Sequence, residues 1–121
     1  MSKAKHRLAR VTALALVLAL PVLAGCASLA QLGAMHSAQR SIAKGKYEAA
    51  LLNLFQAEKY KAPDGELRAE IAFLRGRCHE GLGREAEAIA IYQYTADTFP
   101  TTSHGYQAKA RIAELQKPPQ S

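Results

Sequence analysis

Cysteine and histidine are the side chains of this 121-residue chain that could carry covalent or metal chemistry. A thiolate is a nucleophile and a metal ligand, and an imidazole acts as a base or a metal ligand. The histidines His36, His79 and His104 have no metal-ligand spacing with one another or with Cys78. A glycine-rich phosphate loop and a nucleophile elbow are also missing. We therefore expect no enzyme, no metal site and no cofactor.

Cys26 follows a segment whose parts occur in a recognisable order. A basic head without acidic residues leads into an apolar run from Val11 to Ala24, which Pro21 interrupts, and then into small residues. This order is typical of a secretory signal peptide. The apolar run is shorter than the roughly 20 residues of a membrane-spanning helix. The basic head consists of Lys3, Lys5, Arg7 and Arg10.

The residues that end this segment are Leu23, Ala24, Gly25 and Cys26. They resemble the lipobox of bacterial lipoproteins. The resemblance implies that the Cys26 thiol receives a diacylglycerol, that the chain is cut before this cysteine, and that the new amine is also acylated with a chain such as palmitate. Two or three acyl chains hold a protein lastingly on a membrane, whereas one does not. The alternative is an ordinary signal peptide that happens to be followed by a cysteine.

The residue after Cys26 bears on localisation. It is Ala27 and not aspartate, which in Gram-negative lipoproteins favours release to the outer membrane. The resemblance therefore implies a lipid anchor in the bacterial outer membrane on its periplasmic face, and another bacterial membrane is the alternative.

The charge of the chain is concentrated in the basic head. The net charge of the whole chain is +6, and it falls to +2 without the four head residues. A nucleic-acid-binding protein needs basic residues clustered on its folded body. We therefore expect the membrane and an envelope protein as partners, and no nucleic acid.

The mature sequence aligns with itself after a shift of 38 residues, and a period in this range is typical of stacked helical pairs. No stretch alternates like a strand, so the predicted fold is all-α. The predicted divisions are a signal peptide at 1–25, the lipidated cysteine with a short tether at 26–33, a repeat domain at 34–117 and a tail at 118–121. The aligned pairs include Ala34 with Ala72, Ala38 with Gly76, Gly45 with Gly83, Ala50 with Ala88 and Leu54 with Tyr92.

Stop and start signals place the helices. Asp64 is a candidate N-cap, and Thr102 or Ser103 is another, for a final helix at about 103–116. Pro100 and the glycine pair Gly81 and Gly83 predict helix ends. The helix between Asp64 and the glycine pair carries one apolar stripe, in which Cys78 is expected to be a buried small residue. The stripe is Leu67, Ile71, Leu74, Cys78 and Leu82.

The self-alignment divides the mature chain into two units, and the order of small and large residues in each unit resembles the pattern of the tetratricopeptide repeat (TPR). The second unit matches at Gly76, Ala88, Tyr92 and Pro100, and the first at Ala38, Ala50 and Leu54, with Pro63 one residue late. Alanine stands at 34 and 72, where the family has an aromatic residue, and the period is 38 instead of 34. The resemblance implies two TPR-like helical hairpins and a C-terminal capping helix, and a generic helical bundle is the alternative.

The segment from Tyr92 to Leu115 is similar to envelope TPR proteins, which include the lipoprotein of the β-barrel assembly machinery and the TPR protein of the Tol-Pal system. It contains their aromatic-proline-small-serine turn, Phe99 to Ser103, followed by Tyr106. The resemblance implies a lipid-anchored adapter for protein–protein interactions in the assembly or maintenance of a cell-envelope complex. The alternative is a structural or regulatory lipoprotein near the cell wall that associates with itself.

In TPR proteins the first helix of each pair lines the partner-binding groove. Phe73 lies outside the apolar stripe, so an exposed aromatic hot spot flanked by Arg77 and Glu70 is expected. The alternative is that Phe73 packs under the last helix while Arg77 pairs with Glu70 or Glu80. A tether of about eight extended residues allows under about 30 Å between lipid and domain. The groove positions carried over are Met35, Gln39, Ile42, Glu70, Phe73, Arg77 and Glu80.

Overall fold

A computed structural model describes residues 2–120, and it describes their side chains except at residues 2, 18–21, 23 and 24. The described chain is helical and contains no strand, which confirms the predicted all-α class. Short turns join the helices. In chain order the helices are α1 (Ser2–Ala43), α2 (Tyr47–Tyr60), α3 (Gly65–Gly81), α4 (Glu85–Thr98) and α5 (Ser103–Leu115).

The helices pack as two antiparallel hairpins and a final helix. The C-terminal part of α1 packs on α2, α3 packs on α4, and α5 packs on α4 and α3. Two apolar clusters result, the first between α1, α2 and α3 around Leu54 and the second between α3, α4 and α5 around Tyr92. Leu74 of α3 packs against both clusters, so α3 is the element that joins the two hairpins.

The helix ends follow the sequence signals. The Asp64 carboxylate accepts a hydrogen bond from the Leu67 backbone N–H at 2.8 Å, and the Thr102 hydroxyl accepts one from Gly105 at 3.0 Å. Both caps are therefore confirmed, with Thr102 chosen over Ser103. Gly45 and Gly83 have φ angles of 70° and 75°, a conformation that costs glycine little because it has no Cβ.

The small residue at position 76 allows α3 and α4 to approach closely. A Cβ on Gly76 would lie 2.4 Å from Cε1 of Tyr92, so only glycine leaves room for this ring. Tyr92 is fully buried, and its ring also lies 5.5 Å from that of Phe73 between centroids. The alternation of small and large positions in the second unit is thus a steric fit between two helices.

Residues 26–33 do not form the separate short tether that the sequence predicts. These residues continue α1, which also passes through Pro21 without ending. The Gln31 side chain is 8% exposed, and its Nε2 donates to the backbone oxygens of Ala57 at 3.1 Å and Lys61 at 2.6 Å. Gln31 therefore satisfies carbonyl groups at the end of α2 that lack helical partners, and packing begins earlier than residue 34.

The part of α1 before Cys26 makes a contrast with this packed segment. All of its described side chains, from Lys3 to Gly25, are exposed. Within residues 2–120, no helix combines the length and the apolarity that crossing a membrane requires.

The fit between Gly76 and Tyr92 gives a first prediction. Gly76→Ala places a methyl group inside the space of a buried ring, and overpacking of this kind costs about 1–3 kcal/mol of unfolding free energy. Urea denaturation followed by circular dichroism measures the loss. Gly65→Ala is the matched control, because nothing lies within 4 Å of a Cβ at this helix start. Equal stability of the two variants would contradict the steric role of Gly76.

Candidate functional site

The two cysteines have opposite environments. Cys26 is exposed, whereas Cys78 is fully buried in the first apolar cluster. Burial raises the pKa of the Cys78 thiol to about 11, so this thiol stays protonated and poorly nucleophilic at neutral pH. Cys26 is therefore the thiol that is accessible for modification.

Cys26 lies at the boundary between the exposed and the packed parts of α1. Gly25 before it is exposed and has open space around it, while Ala27 and Ser28 after it are half-buried. The side chains of Leu23 and Ala24, the other residues of the predicted lipobox, lie outside the described residues. A cut before Cys26 would thus separate a segment whose described side chains are exposed from the packed domain.

A first groove of about 370 Å³ runs beside this boundary. It is lined by residues of α1 between Ser28 and Gln39 and by Leu67 and Glu70 of α3. Gln39 donates from Nε2 to Oε1 of Glu70 at 2.7 Å, which bridges the two walls. Leu32 is 54% exposed at this groove, so the groove offers an apolar contact among polar groups.

A second groove of about 380 Å³ lies between α3 and α5. From α3 it is lined by Phe73, Arg77 and Glu80, and from α5 by Gln107, Ala110, Arg111 and Glu114. The predicted groove residues therefore fall into two separate depressions. Met35, Gln39 and Glu70 line the first, Phe73, Arg77 and Glu80 line the second, and Ile42 packs against the first apolar cluster.

The expectation that Phe73 is exposed is wrong. Phe73 is only 7% exposed, and its ring lies 5.6 Å from that of His104 on α5 and close to Tyr92. The physical reason is that α5 covers this face of α3, as the alternative interpretation of the sequence had it. Met35 is likewise buried in the first cluster, so both side chains contribute more to packing than to an open surface.

Glu80 is a polar side chain of the second groove that connects three helices. Its Oε2 accepts from the Tyr92 hydroxyl and from Arg111 Nε, both at 2.9 Å, and its Oε1 accepts from Arg111 Nη2. Arg111 also pairs with Glu114, an exposed carboxylate on its own helix. Glu80 thereby joins α3, α4 and α5. Arg77 remains exposed beside this network.

The same contacts shift the pKa values of the network. Hydrogen bonds from Arg111, and then from Tyr92, hold the pKa of Glu80 below its ordinary value against the opposing effect of burial. Burial, and then the hydrogen bond to Glu80, raises the pKa of Tyr92. Glu80 is therefore ionised and Tyr92 is a neutral donor at neutral pH, which makes this network a structural link between helices.

Sequence reasoning missed two residues that shape these grooves. Gln31 lies on one helix face with Met35, Ala38 and Ile42, so the periodic pattern contained a signal, but its polar side chain did not indicate burial. Arg111 is 31 residues from Glu80, and no local spacing connects them.

Among the described residues, no group of three histidine, cysteine or acidic side chains is placed to hold a metal ion.

The Glu80 network gives a prediction about pH dependence. Glu80→Gln should lower the unfolding free energy at pH 7 by about 1–2 kcal/mol, because it removes charge-assisted hydrogen bonds. Since the folded pKa of Glu80 is depressed, its contribution is complete above the unfolded pKa and is lost as the pH falls through the folded pKa. Denaturation of both proteins between pH 7 and pH 3 should show the gap closing.

Glu114→Gln is the control for this pH series. It removes an exposed partner of the same Arg111, so its effect should stay below about 0.5 kcal/mol. A gap between the wild-type chain and Glu80→Gln that stays constant down to pH 3 would contradict the role of the Glu80 charge.

Comparisons with protein-family models, with curated proteins and with solved structures found no match to this chain. The features of the chain that bear on function are therefore the sequence pattern around Cys26 and the two grooves.

Proposed function

We propose that this chain is a lipid-anchored adapter of the bacterial envelope, which binds a protein partner in the assembly or maintenance of an envelope complex. The observation that carries the proposal is the lipobox-like stretch Leu23–Cys26 behind a basic head and an apolar run. Its cysteine is exposed and stands where the packed domain begins. A thiol in this place is accessible to a lipid-transferring enzyme.

Removal of the leader is compatible with the packing of the domain. Both apolar clusters are built from residues after Cys26, beginning with Ala34 and Met35, and the polar contacts of the first hairpin begin at Ser28. Cleavage before Cys26 would therefore leave both clusters intact. The proposed localisation is the periplasmic face of the outer membrane, with another bacterial membrane as the alternative.

The two hairpins support a TPR-like interpretation of the domain. Each pairs a buried small residue early in its second helix, Ala50 or Ala88, with a large buried residue four positions later, Leu54 or Tyr92. The hairpins are joined through α3 and covered at the end by α5. Stacked hairpins of this kind serve as binding surfaces in repeat proteins.

The first groove is the proposed partner site. Its α1 wall runs from Ser28 to Gln39, and an α-helix rises about 1.5 Å per residue, so this wall lies within about 20 Å of Cys26 along the axis. A partner bound there would also lie near the membrane. Anchoring raises the local concentration of both proteins, which compensates for the modest affinity of a shallow groove.

The lipid anchor is tested by substitution of its cysteine. We expect Cys26→Ser to abolish palmitate labelling and membrane retention in bacterial cells, because serine offers no thiol for the diacylglycerol. Cys78→Ser is the control, and it should be labelled as strongly as the unchanged chain, since Cys78 is buried. Metabolic labelling and cell fractionation provide both measurements. Normal labelling of Cys26→Ser would refute the anchor.

The first groove is tested by a charge placed on its exposed apolar contact. We expect Leu32→Glu to weaken capture of the partner by about 1–2 kcal/mol, which corresponds to about 5–30-fold. Crosslinking in the native envelope, with quantification of the captured neighbour, measures the change. Leu52→Glu is the matched control, because Leu52 is 60% exposed on α2 outside the groove. Equal capture by the two variants would dismiss the first groove as the partner site.

A further inference from the structure

The end of α2 is fixed beside Cys26. Gln31 Nε2 donates to the backbone oxygen of Lys61 at 2.6 Å, and Lys61 Nζ donates to Ser28 Oγ at 3.3 Å. Ser28 is only two residues after Cys26 in a continuous helix. The segment from Lys59 to Ala62, which is the end of α2 with the two residues after it and is here called the proximal loop, is therefore held within about two helical turns of the cysteine along α1.

The proximal loop carries side chains that suit the surface of a bilayer. Tyr60 is 49% exposed, and Lys59, Lys61 and Ala62 are exposed beside it. The Lys59 ammonium lies 5.5 Å from the ring centroid of Phe55, which is itself an exposed aromatic residue. Tyrosine is enriched at membrane–water interfaces, and lysine reaches its charge to headgroups while its stem stays apolar.

The carboxylates near the proximal loop are either bound to other groups of the domain or located in the following helix, α3. Glu58 makes a two-point ion pair with Arg75 on α3, and Asp64 caps α3 through the Leu67 N–H. Glu66 is exposed one turn further on, in the first turn of α3. The lysines of the loop are thus presented without a carboxylate between them.

Resting on the proposed lipid anchor, we infer that the proximal loop is a second membrane contact, in which Tyr60, Lys59 and Lys61 lie among anionic phospholipid headgroups. A single flexible anchor leaves a domain free to rotate, whereas an anchor and a rigidly attached second contact define its orientation.

The turn between α1 and α2 provides an internal comparison. It also exposes two lysines, Lys44 and Lys46, but it follows α1 at the opposite end of the hairpin. From Cys26 to Ala43 the helix rises about 25 Å at its usual 1.5 Å per residue. The two ends of the first hairpin are therefore alike in charge and different in distance from the proposed lipid.

The experiment uses tryptophan fluorescence, because the chain contains no tryptophan of its own. Full-length chains with Tyr60→Trp or Lys46→Trp are produced and processed in bacteria and reconstituted into phosphatidylethanolamine–phosphatidylglycerol vesicles that contain brominated lipid. Vesicle flotation is measured on the same samples. We expect both chains to float, the reporter at position 60 to be quenched at least about twofold, and the reporter at position 46 to be unchanged.

A charge-reversal pair examines the chemistry of the contact. In the Tyr60→Trp background, Lys59→Glu with Lys61→Glu should remove most of the quenching while flotation persists. The backbone oxygen of Lys61, which accepts from Gln31, is retained in this variant. The contact with anionic lipid is supported if phosphatidylcholine-only vesicles also give weaker quenching.

The outcomes separate the two proposals. Chains that do not float would contradict the lipid anchor and, with it, the second contact. Floating chains whose two reporters respond equally would leave the anchor standing and overturn the contact of the proximal loop. A signal at position 60 that follows protein concentration instead of brominated lipid would assign the loop to a second copy of the chain, and this too would overturn the inference.

Discussion

The contact between the Tyr92 ring and the bare backbone at Gly76 is the constraint from which the second hairpin is built. It brings α3 and α4 together and directs the Tyr92 hydroxyl to Glu80. Glu80 in turn holds Arg111, so that α5 is fixed over Phe73. The contact at Gly76 is therefore linked to the last helix through Tyr92, Glu80 and Arg111.

The first hairpin depends on a polar contact instead. Gln31 is buried and gives its amide hydrogens to the carbonyl groups at the end of α2, which would otherwise lose their hydrogen bonds on burial. This contact extends the domain almost to Cys26. A flexible tether would have let the distance between the cysteine and the folded domain vary. Because of the Gln31 contact, any group attached to the cysteine stays close to the folded domain.

The helices of residues 34–117, the caps of α3 and α5 and the small-to-large fit of the second hairpin could be predicted from the sequence, because each depends on local spacing or on the internal repeat. The sequence left two alternatives for Phe73, exposed or packed under the last helix, since a single apolar stripe describes a helix with only one buried face. α3 is packed on two sides, with Ile71 toward the first cluster and Phe73 toward the second. The link from Glu80 to Arg111 likewise depends on how α5 docks, which no local pattern specifies.

The continuity of α1 through Cys26 has an electrostatic consequence for the processed protein that we propose. A cut at this position would place a new ammonium group at the positive end of a helix dipole, beside backbone N–H groups that have no helical acceptor. Conversion of the amine to an amide removes that charge. The final acylation would thus stabilise the first turn of the shortened helix. The segment of chain next to the lipid surface would then be stiffer.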